Sequence, residues 1–294
     1  MINMTYKLDT KDKRILEELD KNCRQSNTQI GKKVGLSKEV VKYRIDNLLD
    51  ARVITRFHTV INYFKLGFLK FKLYLRLTNV SKEKQKEIAK YFQNHKNTEW
   101  VTLTTGRWDL ISGFIVKNVN EFDDEVLEVL NKFSKYIKEK SITTTVYLAH
   151  RERKFLKEKK KEISEVVYHT SKDKQEKIDE LDVEILKILA NNGRSNIVDI
   201  AEKLKKTPRV IQYRINDLER KKVILSYKAH INPKAIGKIF CKEIVYLSSM
   251  NKEHMNKFIN YVSSLEGAIW PQRVIGEWDF ELDFELDSYE RFQE

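Results

Sequence analysis

The fold is decided by a heptapeptide that occurs twice, as Lys42-Tyr-Arg-Ile-Asp-Asn-Leu48 and as Gln212-Tyr-Arg-Ile-Asn-Asp-Leu218. A second repeated motif, Gly106-Arg-Trp-Asp109 and Gly276-Glu-Trp-Asp279, has the same spacing of 170 positions (42 to 212, 106 to 276). Because two distant matches share one offset, a whole unit is duplicated with little change in length. The chain therefore contains two copies of each part.

Helical periodicity around the heptapeptide predicts a three-helix unit in each copy. In the first copy, helices are expected at 9–21, 27–34 and 38–50. Ser37 is a good N-cap for the third helix, and Val41, Ile45 and Leu48 recur at i, i+4 and i+7, so they should face the core. The outward positions, starting with Lys38, are then free to meet a partner.

The second copy supports the same helix boundary. Thr207 replaces the serine N-cap, and Pro208 occupies the first helical position, where its missing N–H costs nothing. Ile211, Ile215 and Leu218 preserve the buried face. The duplication thus kept the core face and let the outer face change.

The rest of each copy predicts a different domain. Strands are expected at 70–78, 99–105, 109–116 and 141–149, with helices at 81–94 and 121–136. The order β-α-β-β-α-β is typical of a ferredoxin-like fold. In the second copy, residue 294 corresponds to Asp124, so most of the last helix and the last strand have no counterpart. We expect either a truncated sequence or cover from another chain, and favour truncation.

Composition indicates a polyanionic partner. The 294 residues carry a net charge of +13 and the pI is about 9.4. Nucleic acid is the first choice and an acidic membrane surface the second, with lysine-based solubility as the alternative. Cys23 and Cys241 occupy non-equivalent positions, so we expect unpaired thiols in a reducing compartment. No apolar leader or spanning run is evident, which predicts a cytoplasmic protein without membrane contact.

This combination resembles the Lrp/AsnC (feast/famine) family of transcription regulators. The residues that carry the resemblance are Leu8-Asp9, Ile15-Leu16, Gly35-Leu36-Ser37, Val41, Arg44-Ile45, Leu48, Val53-Ile54, Gly106 and Asp109. It implies an α+β fold: two copies of a winged-helix-like helix-turn-helix domain followed by a ferredoxin-like (RAM) domain, the second copy incomplete. Arg52 and Lys222 depart from the family, which usually has glycine before the Val-Ile pair, and one unit per chain is the usual form.

Double-stranded DNA is the partner that this resemblance implies. The second helix of a helix-turn-helix motif enters the major groove, and its first residues reach base edges. The candidates in the two copies are Ser37, Lys38, Lys42, Tyr43 and Arg44, and Thr207, Arg209, Gln212, Tyr213 and Arg214. For Arg44 and Arg214, a structural ion pair is an equal alternative. Since the outer faces differ, we predict an asymmetric DNA site with half-sites ~34 Å apart or a multiple of that.

The resemblance also implies a small effector, often an amino acid, bound by the RAM-like domains. The candidate residues are Thr104, Gly106, Asp109, Gly276 and Asp279. An aspartate in a turn is more often a local hydrogen-bond acceptor, and this alternative stays open.

Self-association through the RAM-like sheets is expected, within or between chains. The stretch Phe280–Asp287 alternates as a strand and should present Glu281, Asp283 and Glu285 on one face, whereas the first strand of copy one presents Lys70, Lys72 and Arg76. We hypothesise that the acidic face meets the basic face, which would fix the choice of partner. A solvated sheet face is the alternative.

The expected domain bounds are 1–62 and 175–232 for the helix-turn-helix domains, 63–150 and 233–294 for the RAM-like domains, and 151–174 for a basic linker. This linker carries Arg151, Arg153, Lys154, Lys157, Lys159, Lys160 and Lys161. It could contact DNA phosphate or serve as a solvated spacer.

An enzymatic function is not expected, because no catalytic constellation, phosphate loop or metal-ligand cluster repeats between the copies. The six histidines do not align by the offset. No cofactor is implied. One enzyme class resembles this family, the sirohaem decarboxylases, and remains the alternative; it would need basic and histidine groups around a tetrapyrrole.

Overall fold

The computed structural model describes residues 5–157, 167–248 and 251–294. In these residues, no helix combines the length and the apolar character that crossing a membrane requires. Each unit has the same element order up to the point where the second ends. The first unit contains α1 (Thr10–Lys21), α2 (Asn27–Val34), α3 (Lys38–Asp50), β1 (Ile54–Ile61), β2 (Leu69–Leu77), α4 (Lys82–Gln93), β3 (Thr98–Leu103), β4 (Leu110–Val116), α5 (Val119–Phe133) and β5 (Ile137–His150).

The second unit repeats this order after a short strand, β6 (Val167–Thr170), which no sequence pattern predicted. Its elements are α6 (Glu180–Asn191), α7 (Ile197–Lys203), α8 (Pro208–Arg220), β7 (Ile224–Ile231), β8 (Ile239–Val245), α9 (Lys252–Ser264), β9 (Gln272–Ile275), β10 (Phe280–Leu286) and α10 (Tyr289–Gln293). The mixed α+β fold with two helix-turn-helix units is as expected.

Side-chain caps set the starts of the helices. Asp9 and Asp179 form capping boxes with the residues three positions on, and Ser37 and Thr207 accept hydrogen bonds from the backbone N–H groups of Val40 and Val210. Such caps satisfy N–H groups that have no partner within the helix. The repeated sequence therefore produces helices that begin at equivalent positions.

A two-stranded ribbon joins the two helix-turn-helix domains. β1 pairs antiparallel with β7, and the buried residues of both three-helix units and this ribbon form one hydrophobic cluster. In place of a local hairpin, each unit therefore contributes one strand to a shared wing. The helix-turn-helix domains are held together as one body through this core.

The ferredoxin-like parts share one eight-stranded sheet. Its order is β3-β4-β2-β5-β9-β10-β8, with β6 paired to β5. The first four strands have the ferredoxin-like order, and β5 joins the units by pairing with β9. On one face of β2, Leu73 and Leu75 pack against α4 and α5; on the other, Tyr74 packs against Trp278 of the second unit. The two halves of the sheet thus face each other.

In residues 151–157, the described start of the segment after β5, the arginines are neither solvated nor available to DNA, as the charge pattern had suggested they would be. Arg153 is buried, and its guanidinium forms ion pairs with Asp20 and Glu285 at 2.6 and 2.8 Å. Arg151 is also buried. Both side chains are used inside the protein because α1 and β10 surround this segment. Lys159, Lys160 and Lys161 lie outside the described residues.

Candidate DNA-binding surface and the junction between the units

The helix α3 presents a polar outer face over a closed apolar inner face. Val41, Ile45 and Leu48 are buried, as their spacing predicted. Lys38 and Lys42 are exposed, and the Tyr43 side chain is 66% exposed although it is aromatic. An exposed aromatic ring between cations on a capped helix is a suitable surface for DNA.

The helix α8 repeats this arrangement with other side chains. Ile211, Ile215 and Leu218 are buried, whereas Arg209 and Gln212 are exposed. Tyr213 is 69% exposed and corresponds to Tyr43. The two helices therefore share an exposed tyrosine but differ in the groups that surround it.

The outer polar groups make only exchangeable contacts on their own helices. Lys42 Nζ lies 2.6 Å from Asp46 Oδ2, and Gln212 Nε2 donates to Asn216 Oδ1 over 2.7 Å. Both contacts are exposed, so they contribute little stability. A DNA phosphate or base edge could replace them at small cost.

Arg44 and Arg214 have a different environment from the other DNA candidates. Arg44 Nη1 lies 2.7 Å from Asp9 and 2.8 Å from Asp12, and Arg214 Nη1 lies 2.7 Å from Asp179. Hydrogen bonds to Asp9 and then to Asp12 raise the pKa of Arg44. Since each arginine ties the recognition helix to the first helix of its unit, we assign both to positioning and propose the remaining candidates as DNA contacts.

Reciprocal contacts join the two helix-turn-helix domains at the turns that follow α1 and α6. Arg24 Nη1 donates to the carbonyls of Gly193 and Ser195, and its counterpart Arg194 donates to the carbonyl of Cys23 over 2.6 Å. Each guanidinium also lies over an aromatic ring of the other unit's strand, 5.1 Å for Arg24 and 5.3 Å for Arg194. α3 and α8 are therefore held in an approximately twofold arrangement.

The candidate effector residues form tight turns. Asp109 Oδ2 accepts from the Leu77 N–H over 2.7 Å, and Asp279 Oδ2 accepts from the Leu247 N–H over 2.8 Å. Thr104 Oγ1 donates to the Trp108 carbonyl. Gly106 has φ +123°, which favours glycine. These contacts support the alternative in which the aspartates are local hydrogen-bond acceptors. One carboxylate oxygen of each accepts from a backbone N–H group at the neighbouring strand.

A set of half-buried histidines lies between the ribbon and the sheet, and sequence reasoning missed it because the histidines do not repeat. A cavity of about 20 Å³ is lined by Asp20, His58, His150, Arg151, Arg153, Lys228, Ala229, His230 and Trp270. Burial lowers the pKa of His58 to about 3 and of His230 to about 4. The cavity has room for about one water molecule.

One group in the described residues has the composition of a metal site. Ligand atoms of His95, Glu125 and Glu128 all lie within 4.8 Å of one another. His95 Nδ1 is 2.8 Å from Glu125 Oε2, which an ion pair explains. These residues belong to α5 and to the turn after α4, and no ligand spacing in the sequence predicted the group.

Comparison with known proteins identifies the family. The winged helix-turn-helix DNA-binding family model matches residues 8–55 and 178–224. An HTH-type transcriptional regulator of Pyrococcus furiosus is 34% identical over 131 residues, which are 44% of this chain and 87% of the relative. The chain belongs to the family of HTH-type transcriptional regulators with a winged helix-turn-helix DNA-binding domain.

Two solved structures are similar to this chain to different extents. The sirohaem decarboxylase NirDL has a TM-score of 0.64 at 12% identity, covering 97% of this chain and 84% of that one; this likeness concerns the fold alone. An AsnC family regulator from Agrobacterium tumefaciens is 20% identical with a TM-score of 0.42, covering 47% and 89%. The Pyrococcus furiosus relative matches 44% of this chain over 87% of its own length, as a duplicated unit requires.

Proposed function

We propose that this chain is a sequence-specific DNA-binding transcription regulator that brings two unlike recognition helices to one DNA molecule. The observation that supports this most directly is the pair α3 and α8: both are capped, both expose a tyrosine, and reciprocal contacts hold them in a twofold arrangement. The contacts would come from Ser37, Lys38, Lys42 and Tyr43, and from Thr207, Arg209, Gln212 and Tyr213.

DNA binding by these helices is tested by salt-dependent fluorescence anisotropy on duplexes selected from random sequence. The variant Lys38→Ala/Lys42→Ala should weaken binding roughly tenfold and reduce the slope of log affinity against log salt by up to ~2. The matched control is Lys86→Ala/Lys90→Ala on α4, which removes two exposed lysines far from the recognition helices along the fold. Equal losses in both variants would show that binding reflects net charge alone.

We further propose that a small effector binds at the turns 104–109 and 276–279. It would contact the carboxylate oxygen of Asp109 or Asp279 that does not accept a hydrogen bond from the backbone. Asp109→Asn keeps a side-chain oxygen that can accept a hydrogen bond from the backbone. It removes the negative charge that would attract an α-amino group. Calorimetric titration with each amino acid should therefore show binding to wild type that Asp109→Asn and Asp279→Asn lose. No heat with any amino acid would exclude this class of effector.

We propose no catalytic role. The histidine-lined cavity of about 20 Å³ is far smaller than the several hundred Å³ that a large organic ligand occupies, and the cleft of about 520 Å³ along β7 has lysines but no histidine among its described lining residues. Addition of sirohaem should leave its absorbance spectrum unchanged. A shifted spectrum that His150→Gln abolishes would favour the decarboxylase alternative.

A further inference from the structure

The two units meet through faces whose charges differ, and we propose that each unit is built to pair with the other and to reject a copy of itself. One chain would then supply both partners of this junction. This inference concerns pairing only and does not depend on the DNA-binding proposal.

The two Gly-x-Trp-Asp turns meet each other at the junction. The ring centroids of Trp108 and Trp278 are 6.2 Å apart, and both side chains are buried. Between these tryptophans and the glycines, the repeat differs at one position: Arg107 in the first unit and Glu277 in the second. Arg107 Nη2 lies 2.7 Å from Glu277 Oε1 and 2.8 Å from Glu139 Oε1. Two first units would bring two arginines together here, and two second units would bring two glutamates.

A buried ion pair crosses between the two halves of the sheet. Lys72 Nζ of β2 lies 2.5 Å from Glu281 Oε2 of β10, and both side chains are fully buried. Gln272 Oε1 accepts a further hydrogen bond from Lys72, while the Trp278 indole N–H donates to Glu281. Burial lowers the pKa of Lys72 to about 8 despite the opposing effect of Glu281. The part of the acidic-face hypothesis that concerns Lys72 is therefore correct.

The other basic residues of that hypothesis find acids within the first unit. Lys70 pairs with Glu99 at 2.6 Å, and Arg76 lies 3.8 Å from Glu139. Expecting Lys70 and Arg76 to meet the acidic strand was wrong, because Glu99 on β3 and Glu139 on β5 of their own unit are the acids nearest to them. Selectivity for the other unit thus resides at Lys72 and Arg107.

The charges of the buried cluster cancel only when a first unit pairs with a second unit. Besides Lys72 and Glu281, the cluster contains Lys242, 2.7 Å from Asp283 and 3.2 Å from Glu281. It therefore holds two cations and two anions. Lys72 and Lys242 occupy equivalent positions, so each unit carries this lysine. At the positions of Glu281 and Asp283, the first unit has Ile111 and Gly113.

The alternative pairings fail this balance. Two first units would bury two lysines with no carboxylate at these positions, and two second units would bury four carboxylates against two lysines. Buried charges without partners cost several kcal/mol each. Such an arrangement disfavours like pairs as well as favouring the unlike pair.

A third contact extends the same asymmetry to the segment after β5. Arg153 Nε lies 2.8 Å from Glu285 Oε2, and Arg153 Nη1 lies 2.6 Å from Asp20 Oδ1. Glu285 corresponds to Ile115 of the first unit. The acid that holds Arg153 from β10 is thus present only in the second unit.

Subunit exchange after cleavage tests the proposal on the folded chain. A protease site is inserted between residues 157 and 167, and one preparation carries an affinity tag on the first half. Cleaved tagged and untagged proteins are mixed, allowed to exchange and captured by the tag. We expect untagged second halves in the captured fraction and no untagged first halves. Capture of untagged first halves, or homodimers of either half by light scattering, would overturn the proposal.

Substitutions identify the contacts responsible. Glu281→Ile gives the second unit the residue of the first and leaves Lys72 without its carboxylate, so the cleaved halves should dissociate at least tenfold more readily. The Trp108 and Trp278 emission should shift to the red as the junction opens. Lys72→Met with Glu281→Ile retains the Lys242–Asp283 pair and should recover association. Glu253→Gln, which alters an exposed ion pair within α9, is the control. Failure of the double variant to recover association would assign the loss to misfolding and reject the charge-pairing argument.

Discussion

At the residue scale, the repeat provides an internal comparison of left-handed backbone positions. Gly35 has φ +69°, and the equivalent Lys205 has φ +52°. Arg52 and Lys222 also have positive φ, at 54° and 59°. A side chain with a Cβ atom is strained in this region by roughly 1–2 kcal/mol. The backbone strain at these three residues therefore lowers the free energy of unfolding, while their side chains add charge to the surface.

Exchanging residues between Gly35 and Lys205 should change stability in opposite directions. We expect Lys205→Gly to raise the free energy of unfolding by about 1 kcal/mol and Gly35→Lys to lower it by a similar amount. Urea denaturation followed by circular dichroism measures both. A destabilising Lys205→Gly would mean that the lysine side chain makes contacts that outweigh the backbone strain.

The buried histidines give stability a defined pH dependence. Burial lowers the pKa of His58 and of His169 to about 3, that of His230 to about 4, and that of His150 well below its usual value. The unfolded chain takes up protons near pH 6.5, whereas the folded chain does not. Their contribution is therefore fully present above pH 6.5 and is lost as the pH falls toward 4.

We expect the free energy of unfolding to fall between pH 6.5 and 4 by up to about 1.4 kcal/mol per pH unit for each of these histidines. Thermal or urea unfolding across this range measures the slope. His169→Gln should flatten the slope by one histidine's share, whereas His254→Gln on the exposed surface should not. An unchanged slope in His169→Gln would mean that this imidazole is already protonated in the folded protein.

At the scale of elements, sequence predicted those parts whose information is local. The bounds of α2 and α3 follow from Ser37, Gly35 and an apolar stripe within one helix. β6 and the full length of β5, from Ile137 to His150, were not predicted, because their pairing involves strands distant in sequence. Local patterns cannot show such partners.

The residues of the candidate site also fall into those that local sequence patterns predicted and those that they did not. The exposed positions of α3 and α8 followed from helical periodicity, and the choice between DNA contact and ion pair for Arg44 needed the position of Asp12. Asp109 and Asp279 could be recognised as turn residues, but not which backbone N–H groups they accept from. The histidine cavity arises where four separate elements meet, so no segment carries its signal.

The ribbon between the units depends on a close approach at Gly193. A Cβ atom there would lie 3.0 Å from the His58 carbonyl carbon and oxygen and 3.4 Å from Cys23 Sγ. Gly193→Ala should therefore lower the free energy of unfolding by about 1–3 kcal/mol through overpacking. Lys187→Ala on the exposed face of α6 is the control, and a neutral Gly193→Ala would show that the ribbon adjusts freely.

At the scale of the whole molecule, two unlike recognition helices in a fixed twofold arrangement imply an asymmetric operator. Selection from random duplexes should return two different half-sites about 34 Å apart, or a multiple of that. Arg209→Ala should relax the sequence preference of one half-site and Lys38→Ala that of the other. A perfect palindrome that both variants alter equally would contradict this prediction.

The ribbon also constrains the order in which the protein can form during synthesis. β1 ends at Ile61, but its partner β7 begins at Ile224, so the ribosome must make most of the chain before the strands can meet. Until then the first unit exposes apolar side chains and an unpaired strand edge, which are the surfaces that aggregate and that chaperones bind. Pairing between such distant segments is also intrinsically slow. Fusing two units into one chain thus guarantees that the partners are present in equal number. It also means that the first unit cannot complete its fold until the second unit has been synthesised.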